Sequence, residues 1–292
     1  MASTTATADR RVPGWAAPIL TRLFQDQPPV VTRDDMVALV DELELPRPAD
    51  SVVRELRRIG WLQPLRTKGV WAVLRPGEAA PADPYIELRA WQAVHEDATF
   101  ALAGEHAAWH LGYLNRAPIG KIRVWVPQRT ELPKGLRQVA SVVRVAWSAE
   151  VVELLAPRFE LLRKRGLDVV SWSSGLLAFG PEALLVQLAN RPTSFTNWAD
   201  LVEHLAQLVS DIDYATLTRL LAGQSTQTWQ RLAYLLDAGG DERAAARLIT
   251  ELPGEFKAIV YFGARGPDAV WIPQFHVLDR VVAPLLGIVG KA

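Results

Sequence analysis

The sequence contains no cysteine and carries no excess of one charge. Without cysteine the chain can form no disulfide, no thiolate nucleophile and no cysteine-ligated zinc site. Its 32 Lys and Arg residues balance 32 Asp and Glu residues. Any attraction to nucleic acid must therefore come from a local cluster of charge and not from the net charge of the molecule.

A long apolar run is also absent. No stretch approaches the roughly 18 apolar residues that span a bilayer, and residues 1–14 lack the apolar core of a signal peptide. We therefore expect a cytoplasmic protein that does not contact membranes. Its first 13 residues are small, polar and unpatterned, and we predict that they form a disordered tail.

A basic amphipathic segment over residues 46–61 is the most informative stretch that is present. Apolar side chains repeat at helical spacing on one face, and arginines occupy the other. Asp50 or Ser51 could cap the first turn, and Gly60 could supply the left-handed residue that ends the helix. A solvated basic surface is the simpler interpretation of such a helix in isolation. Residues 47–75, however, include seven basic residues and only two acidic ones.

The order of the neighbouring elements favours nucleic-acid binding. Two helices are predicted before the basic helix, at Trp15–Phe24 and, after a capping-box-like Thr32 and Asp35, at Met36–Leu43. A short strand at Val30–Val31 separates them, and a hairpin with a basic tip follows the third helix. This is the plan of a winged helix-turn-helix domain, whose third helix enters the major groove. The predicted DNA-binding residues are Arg47, Ser51, Arg54, Arg57, Arg58, Arg66, Thr67 and Lys68.

The remainder of the chain predicts a second, larger domain. Residues 76–84 are rich in Pro and Ala and have little to pack, so we interpret them as a linker. Helical and strand-like segments then alternate, including a closing hairpin formed by Ala258–Phe262 and Val270–Ile272. The predicted fold is α+β: a disordered tail (1–13), a winged helix-turn-helix DNA-binding domain (14–75), a linker (76–84) and a mixed α/β effector domain (85–292).

Motifs for catalysis are weak. The sequence has no dinucleotide-binding glycine pattern and no Walker sequence, and His106 and His110 lack the intervening Glu and the third ligand of a zinc site. We expect no catalytic residue, metal or cofactor. The alternative is a nuclease targeted by the winged helix, using Glu255 and Lys257 with Asp237 or Asp241 to hold Mg²⁺. A second basic patch, a candidate contact with phosphate or a partner, is formed by Arg158, Arg163, Lys164 and Arg165.

Four features of the chain resemble the AbiEi-like antitoxins of type IV, abortive-infection toxin-antitoxin systems, in particular the mycobacterial type with an N-terminal winged helix. They are the winged helix itself, the small-residue helix within Ala101–Gly112, Pro181-Glu182 before a Leu-rich helix, and Gln230–Asp237 before a glycine. Ala183 and Gln187 depart from the family pattern, which often has Arg and Asp near these positions.

The resemblance implies a transcriptional autorepressor that binds inverted repeats in double-stranded DNA at its own promoter. It also implies that the second domain counters a cognate nucleotidyltransferase-type toxin, directly or indirectly. Without the resemblance, the sequence supports DNA binding but not the neutralisation of a toxin. A third interpretation, a ligand-sensing regulator, would require a pocket with convergent polar groups.

Overall fold

The computed structural model describes residues 12–95, 97–167, 172–254, 256 and 258–288, without the side chains of Ser173 and Ser174. The chain forms two compact units. The N-terminal unit comprises Met1–Ala98 and Pro133–Val139, and the C-terminal unit comprises Thr99–Leu132 and Ala140–Ala292. Both contain helices and short strands, and the fold class is α+β as predicted.

The first part of the N-terminal unit has the element order expected of a winged helix. In chain order, its elements are α1 (Ala17–Asp26), β1 (Val30–Thr32), α2 (Arg33–Glu42), α3 (Ala49–Arg58), β2 (Leu62–Pro64) and β3 (Val70–Val73). Strand β3 lies between β1 and β2 and pairs antiparallel with both. The hairpin of β2 and β3 thus follows α3 directly.

The helices of this unit are held by an apolar core and by local signals at their ends. Ile19, Met36 and Leu56 come from three different helices and are fully buried together. Burial of each such side chain stabilises the fold by about 1.5 to 3 kcal/mol. At the start of α2, Thr32 Oγ1 accepts the Asp35 amide at 3.1 Å while the Asp35 carboxylate accepts the Thr32 amide at 2.8 Å, which confirms the predicted capping box.

A fourth helix, α4 (Ile86–Val94), completes the sheet side of the N-terminal unit. Its Ala90 is buried with Val30 of β1 and Val70 of β3. Asp83 stabilises the turn before the helix, because its carboxylate accepts a hydrogen bond from the Tyr85 amide at 2.8 Å. Residues 76–84, interpreted from sequence as a linker between domains, therefore connect two parts of one unit, and the division between units follows Ala98.

The C-terminal unit is mostly helical, with two small mixed sheets. Strands β4 (Ala101–Leu102), β5 (Ile122–Trp125) and β6 (Ala140–Val143) form the first sheet, in which β4 and β5 are antiparallel and β5 and β6 parallel. Its helices are α5 (Gly104–His110), α6 (Val152–Leu155), α7 (Phe159–Lys164), α8 (Pro181–Asn190), α9 (Trp198–Glu203), α10 (Leu205–Ser210), α11 (Tyr214–Leu221), α12 (Thr226–Ala238), α13 (Glu242–Thr250) and α14 (Val282–Leu285).

Helices α8 and α12 form the centre of this unit. All residues of α8 from Pro181 to Ala189 are buried, as expected for a helix surrounded by other elements. The second sheet has the order β7 (Val260–Phe262), β9 (Val277–Asp279), β8 (Val270–Ile272). The predicted closing hairpin of β7 and β8 is therefore wrong, because β9 lies between them and pairs with both. Within the described residues, no helix is long and apolar enough to cross a membrane.

Candidate nucleic-acid interface

Helix α3 presents a basic face opposite a buried one. Val52, Val53 and Leu56 are buried in the core of the N-terminal unit. The other side chains of the helix follow at three- and four-residue spacing, and those exposed to solvent are Asp50, Ser51, Arg54, Arg57 and Arg58. The helix ends at Arg58, and Gly60 supplies the predicted left-handed residue after it, with a φ of 81°.

The arginines of α3 differ in their intramolecular contacts. Arg58 donates from Nε to Glu55 at 2.9 Å in a bidentate pair, and this hydrogen bond lowers the pKa of Glu55 below its ordinary value. Arg54 and Arg57 have no side-chain partner among the residues that the structure describes. They are the two cations of this face that an external ligand could contact without breaking an existing pair.

The start of α3 is organised by a contact that the sequence did not indicate. Asp50 does not cap the helix; instead it accepts two hydrogen bonds from Arg33, the first residue of α2, at 2.8 and 3.1 Å. Arg47, just before α3, lies over the Trp15 ring at 4.9 Å. Ser51 is exposed in the first turn of α3 and caps nothing. A basic residue at a helix start is unfavourable for the helix dipole, and this is the signal that could have indicated a role for Arg33.

The tip of the hairpin carries two cations, of which only Arg66 contacts other side chains among the described residues. The Arg66 guanidinium lies 3.7 Å from Glu87 of α4 and donates to Gln138. Lys68 is exposed and, in the described part of the chain, has no partner. Thr67 closes the tip through its carbonyl, which accepts the Val70 amide. Of the two predicted wing cations, Lys68 is therefore the one available to a ligand.

The predicted second basic patch is largely an internal ion network. Asp211 is buried, and its carboxylate accepts from Arg165 at 2.9 Å and from Lys164 at 3.3 Å. Arg158 donates to the Asp211 backbone carbonyl at 2.7 Å. Arg163 is the exposed member for which the described residues offer no partner. Two of the four basic side chains thus pair with the buried Asp211 carboxylate, and a third binds the backbone of the same residue.

Of the residues of the nuclease alternative, the structure describes only Asp237 and Asp241. Glu255 and Lys257 lie outside the described residues. Asp241 caps α13 by accepting the Ala244 amide at 2.9 Å, and burial raises the pKa of Asp237. No group of three His, Asp or Glu side chains within the described residues could hold a metal ion.

Comparison with known proteins places these features in a family. The family model of the AbiEi antitoxin C-terminal domain matches residues 100–238. Among solved structures, the RV2827C protein from Mycobacterium tuberculosis is 49% identical, with 98% of each chain covered and a TM-score of 0.88. The chain belongs to the AbiEi antitoxin family. No curated protein matches the sequence.

The AbiEi match also locates the antitoxin segment relative to the basic helix. It begins at residue 100, close to the start of the C-terminal unit, and does not include α3 or the hairpin. The matched segment lies in the C-terminal unit except for residues 133–139, whereas α3 and the hairpin lie in the N-terminal unit.

Proposed function

We propose that this AbiEi antitoxin is a sequence-specific, double-stranded DNA-binding repressor of its own operon, with α3 as the recognition helix. The observation that carries the proposal is the pair Arg54 and Arg57, exposed on one face of α3 without an intramolecular partner in the described structure. The opposite face of the same helix is buried in the core of the N-terminal unit. Such a helix can approach DNA without any rearrangement of its own unit.

The chemistry of this face suits the major groove. An arginine can donate two hydrogen bonds to O6 and N7 of guanine, the most frequent base-specific contact. Ser51, in the first turn, is short enough to donate to a phosphate oxygen. Lys68 at the hairpin tip would add a phosphate contact beside the groove. Arg33 and Arg47 are held by Asp50 and Trp15 and would position α3 or meet the backbone.

The operator we propose is an inverted repeat at the promoter of the chain's own gene. The toxin we propose is of the nucleotidyltransferase type, and the C-terminal unit, which contains the AbiEi match, would counter it by contact or by acting on the same target. No catalytic step of the antitoxin is needed in either case. The AbiEi match supports the antitoxin role, and the position of α3 and the hairpin outside that match supports a separate DNA-binding role.

DNA binding can be tested with the full chain and the DNA upstream of its gene. We expect retardation of that fragment at concentrations that leave a scrambled fragment of equal length unbound. Addition of Mg²⁺ or Mn²⁺ should leave the DNA intact. Equal affinity for both fragments would refute sequence-specific repression, and metal-dependent cleavage would favour the nuclease alternative.

The division of labour can be tested without truncation. The double variant Arg54→Ala, Arg57→Ala should lose repression of a promoter reporter but still protect cells that express the neighbouring toxin. Arg144→Ala, which removes an exposed arginine of the C-terminal unit, is the matched control and should retain both activities. Loss of protection in the double variant would show that neutralisation requires DNA binding and would refute the separation.

A further inference from the structure

A short stretch of the chain returns to the N-terminal unit after the first strands of the C-terminal unit. Residues 133–139, which we call the returning segment, lie between β5 and β6 in the sequence but belong to the same compact unit as α3 and the hairpin. They also lie within the stretch that matches the antitoxin domain. The segment contains two basic residues and no acidic one, and none of the DNA contacts proposed above involves it.

The returning segment is anchored by its own backbone and by one apolar side chain. A short 3-10 helix, Leu136–Gln138, turns the chain. The carbonyl of Pro133 accepts the amides of Leu136 and Arg137 at 2.9 and 3.3 Å. Leu136 is buried, with 2% of its surface exposed, and its burial stabilises the position of the segment.

The returning segment passes directly alongside the tip of the hairpin. A Cβ placed on Gly135 would lie 3.5 Å from the Cβ of Arg66 and 3.9 Å from the Arg66 carbonyl oxygen, which is ordinary van der Waals contact. The Arg66 guanidinium also donates to the side chain of Gln138. The Arg66 amide donates to Glu87 of α4 at 3.0 Å. The tip is therefore held by the returning segment and by α4.

This contact brings two lysines from distant parts of the sequence close together. Lys134 is the residue before Gly135, and Lys68 is two residues after Arg66. Both lysines are exposed, and in the part of the chain that the structure describes neither side chain has a partner. The hairpin tip therefore presents a second available cation that does not belong to the hairpin.

The charge around the tip remains positive when the neighbouring groups are included. The Glu87 carboxylate lies 3.7 Å from Arg66 and offsets that cation, whereas Gln138 is neutral. Arg137 has an intramolecular contact of its own and is not counted. Lys68 and Lys134 are left as the uncompensated charges.

Two available lysines beside a hairpin tip fit the sugar-phosphate backbone of DNA. An ammonium group on a flexible stem pairs with phosphate as a point charge, whereas the planar guanidinium of arginine is suited to bidentate contact with guanine. An acidic protein surface would offer the same charge. DNA is favoured because the lysines continue the face that α3 and the hairpin would present to the duplex.

We propose that the returning segment forms the outer edge of the DNA interface, with Lys134 contacting a phosphate of its own beside the one that Lys68 contacts. This proposal rests on the DNA binding proposed above for the N-terminal unit. The contact carries no base specificity, because phosphates are the same in every sequence. A stretch within the antitoxin match thus adds affinity for DNA, and α3 supplies the specificity.

The salt dependence of DNA binding by the full chain tests this contact. Lys134→Gln should weaken binding of the upstream DNA and of a scrambled duplex by the same factor and should reduce the salt slope by about one. Between 50 and 200 mM salt, the variant should then lose roughly fourfold less affinity than the wild type. Arg144→Gln removes the same charge from an exposed position of the C-terminal unit and should leave the slope unchanged.

A double variant tests whether the two lysines contact different phosphates. Lys68→Gln combined with Lys134→Gln should reduce the slope by about two. A slope equal to that of Lys68→Gln alone would overturn the proposal.

Site-directed cross-linking locates the segment on DNA independently of affinity. Because the chain has no cysteine, one introduced cysteine can carry a photoactivatable cross-linker at a chosen position. Labels at Lys68→Cys and Lys134→Cys should both cross-link to neighbouring nucleotides, and a label at Arg144→Cys should not. Cross-linking from Lys68→Cys but not from Lys134→Cys would overturn the proposal and leave DNA binding by α3 intact. Absence of DNA binding by the wild type would refute the proposed function and this inference with it.

Discussion

Replacement of Arg54 by alanine tests whether α3 reads bases or only contacts phosphates. Arg54 has no partner to lose within the described structure, so the substitution should leave the stability of the N-terminal unit within about 0.5 kcal/mol of the wild type. Any change in DNA affinity then reports the contact with DNA itself. The matched substitution is Arg58→Ala, four residues further along the same exposed face.

The two substitutions should reduce affinity for the operator by different amounts. A bidentate contact of arginine with guanine contributes about 1 to 3 kcal/mol of discrimination, which corresponds to a loss of roughly 5- to 150-fold at the operator. Arg58 must first leave its bidentate pair with Glu55, so its substitution should cost less than that of Arg54. Glu55→Gln should instead tighten binding, because it releases Arg58 and removes a negative charge that faces DNA.

Fluorescence anisotropy with the operator and with a scrambled duplex, at several salt concentrations, separates the possible outcomes. We expect Arg54→Ala to reduce binding of the operator much more than binding of the scrambled duplex. A uniform loss on both, with a salt slope reduced by about one, would mean that Arg54 contacts only phosphate. That result would refute base reading by this residue.

Three further changes follow from contacts described above. Glu87→Gln removes the negative charge beside Arg66, which keeps its contact with Gln138, and should increase the salt slope of DNA binding by up to about one; an unchanged slope would place the hairpin tip away from DNA. Arg165→Gln leaves a buried carboxylate poorly paired and should lower the free energy of unfolding in urea by about 3 to 5 kcal/mol, whereas Arg163→Gln should change it by less than about 0.5. Burial lowers the pKa of His106 from 6.5 to about 4, so the unfolded chain binds a proton that the folded chain does not. Stability should therefore fall by up to roughly 3 kcal/mol between pH 6.5 and 4. His106→Asn should reduce this loss of stability, whereas the control His95→Asn, at an exposed position, should not. Equal losses of stability in the two variants would refute the assignment of the pH dependence to His106.

The basic helix could be predicted because its information is local. Apolar side chains at helical spacing, a proline before the first turn and a glycine after the last one define α3 within a short stretch of sequence. The alternation of the hairpin is equally local. In contrast, the sequence could not show which arginines are occupied. Arg66 meets Gln138, 72 positions away, and Asp50 pairs with Arg33 rather than capping its own helix.

Errors in the interpretation of the rest of the chain have the same origin. The sequence does not predict strand β9 because three residues carry too little pattern, and only its pairing on both sides makes it the centre of a sheet. The division at residues 76–84 followed composition, but the neighbouring helix α4 has an apolar face that packs against β1 and β3. The second basic patch could not be distinguished from a ligand site without knowledge of the buried Asp211.

The return of residues 133–139 to the N-terminal unit has a consequence for synthesis of the protein. The ribosome makes the residues up to 98, then a stretch of the other unit, and only afterwards the segment that contains Gln138. At roughly 5 to 20 residues per second this interval lasts about two to seven seconds. During that time Arg66 lacks one of its two side-chain partners, so the hairpin tip emerges in a state that the finished protein does not have. The N-terminal unit is therefore completed during synthesis of the antitoxin segment and not before it.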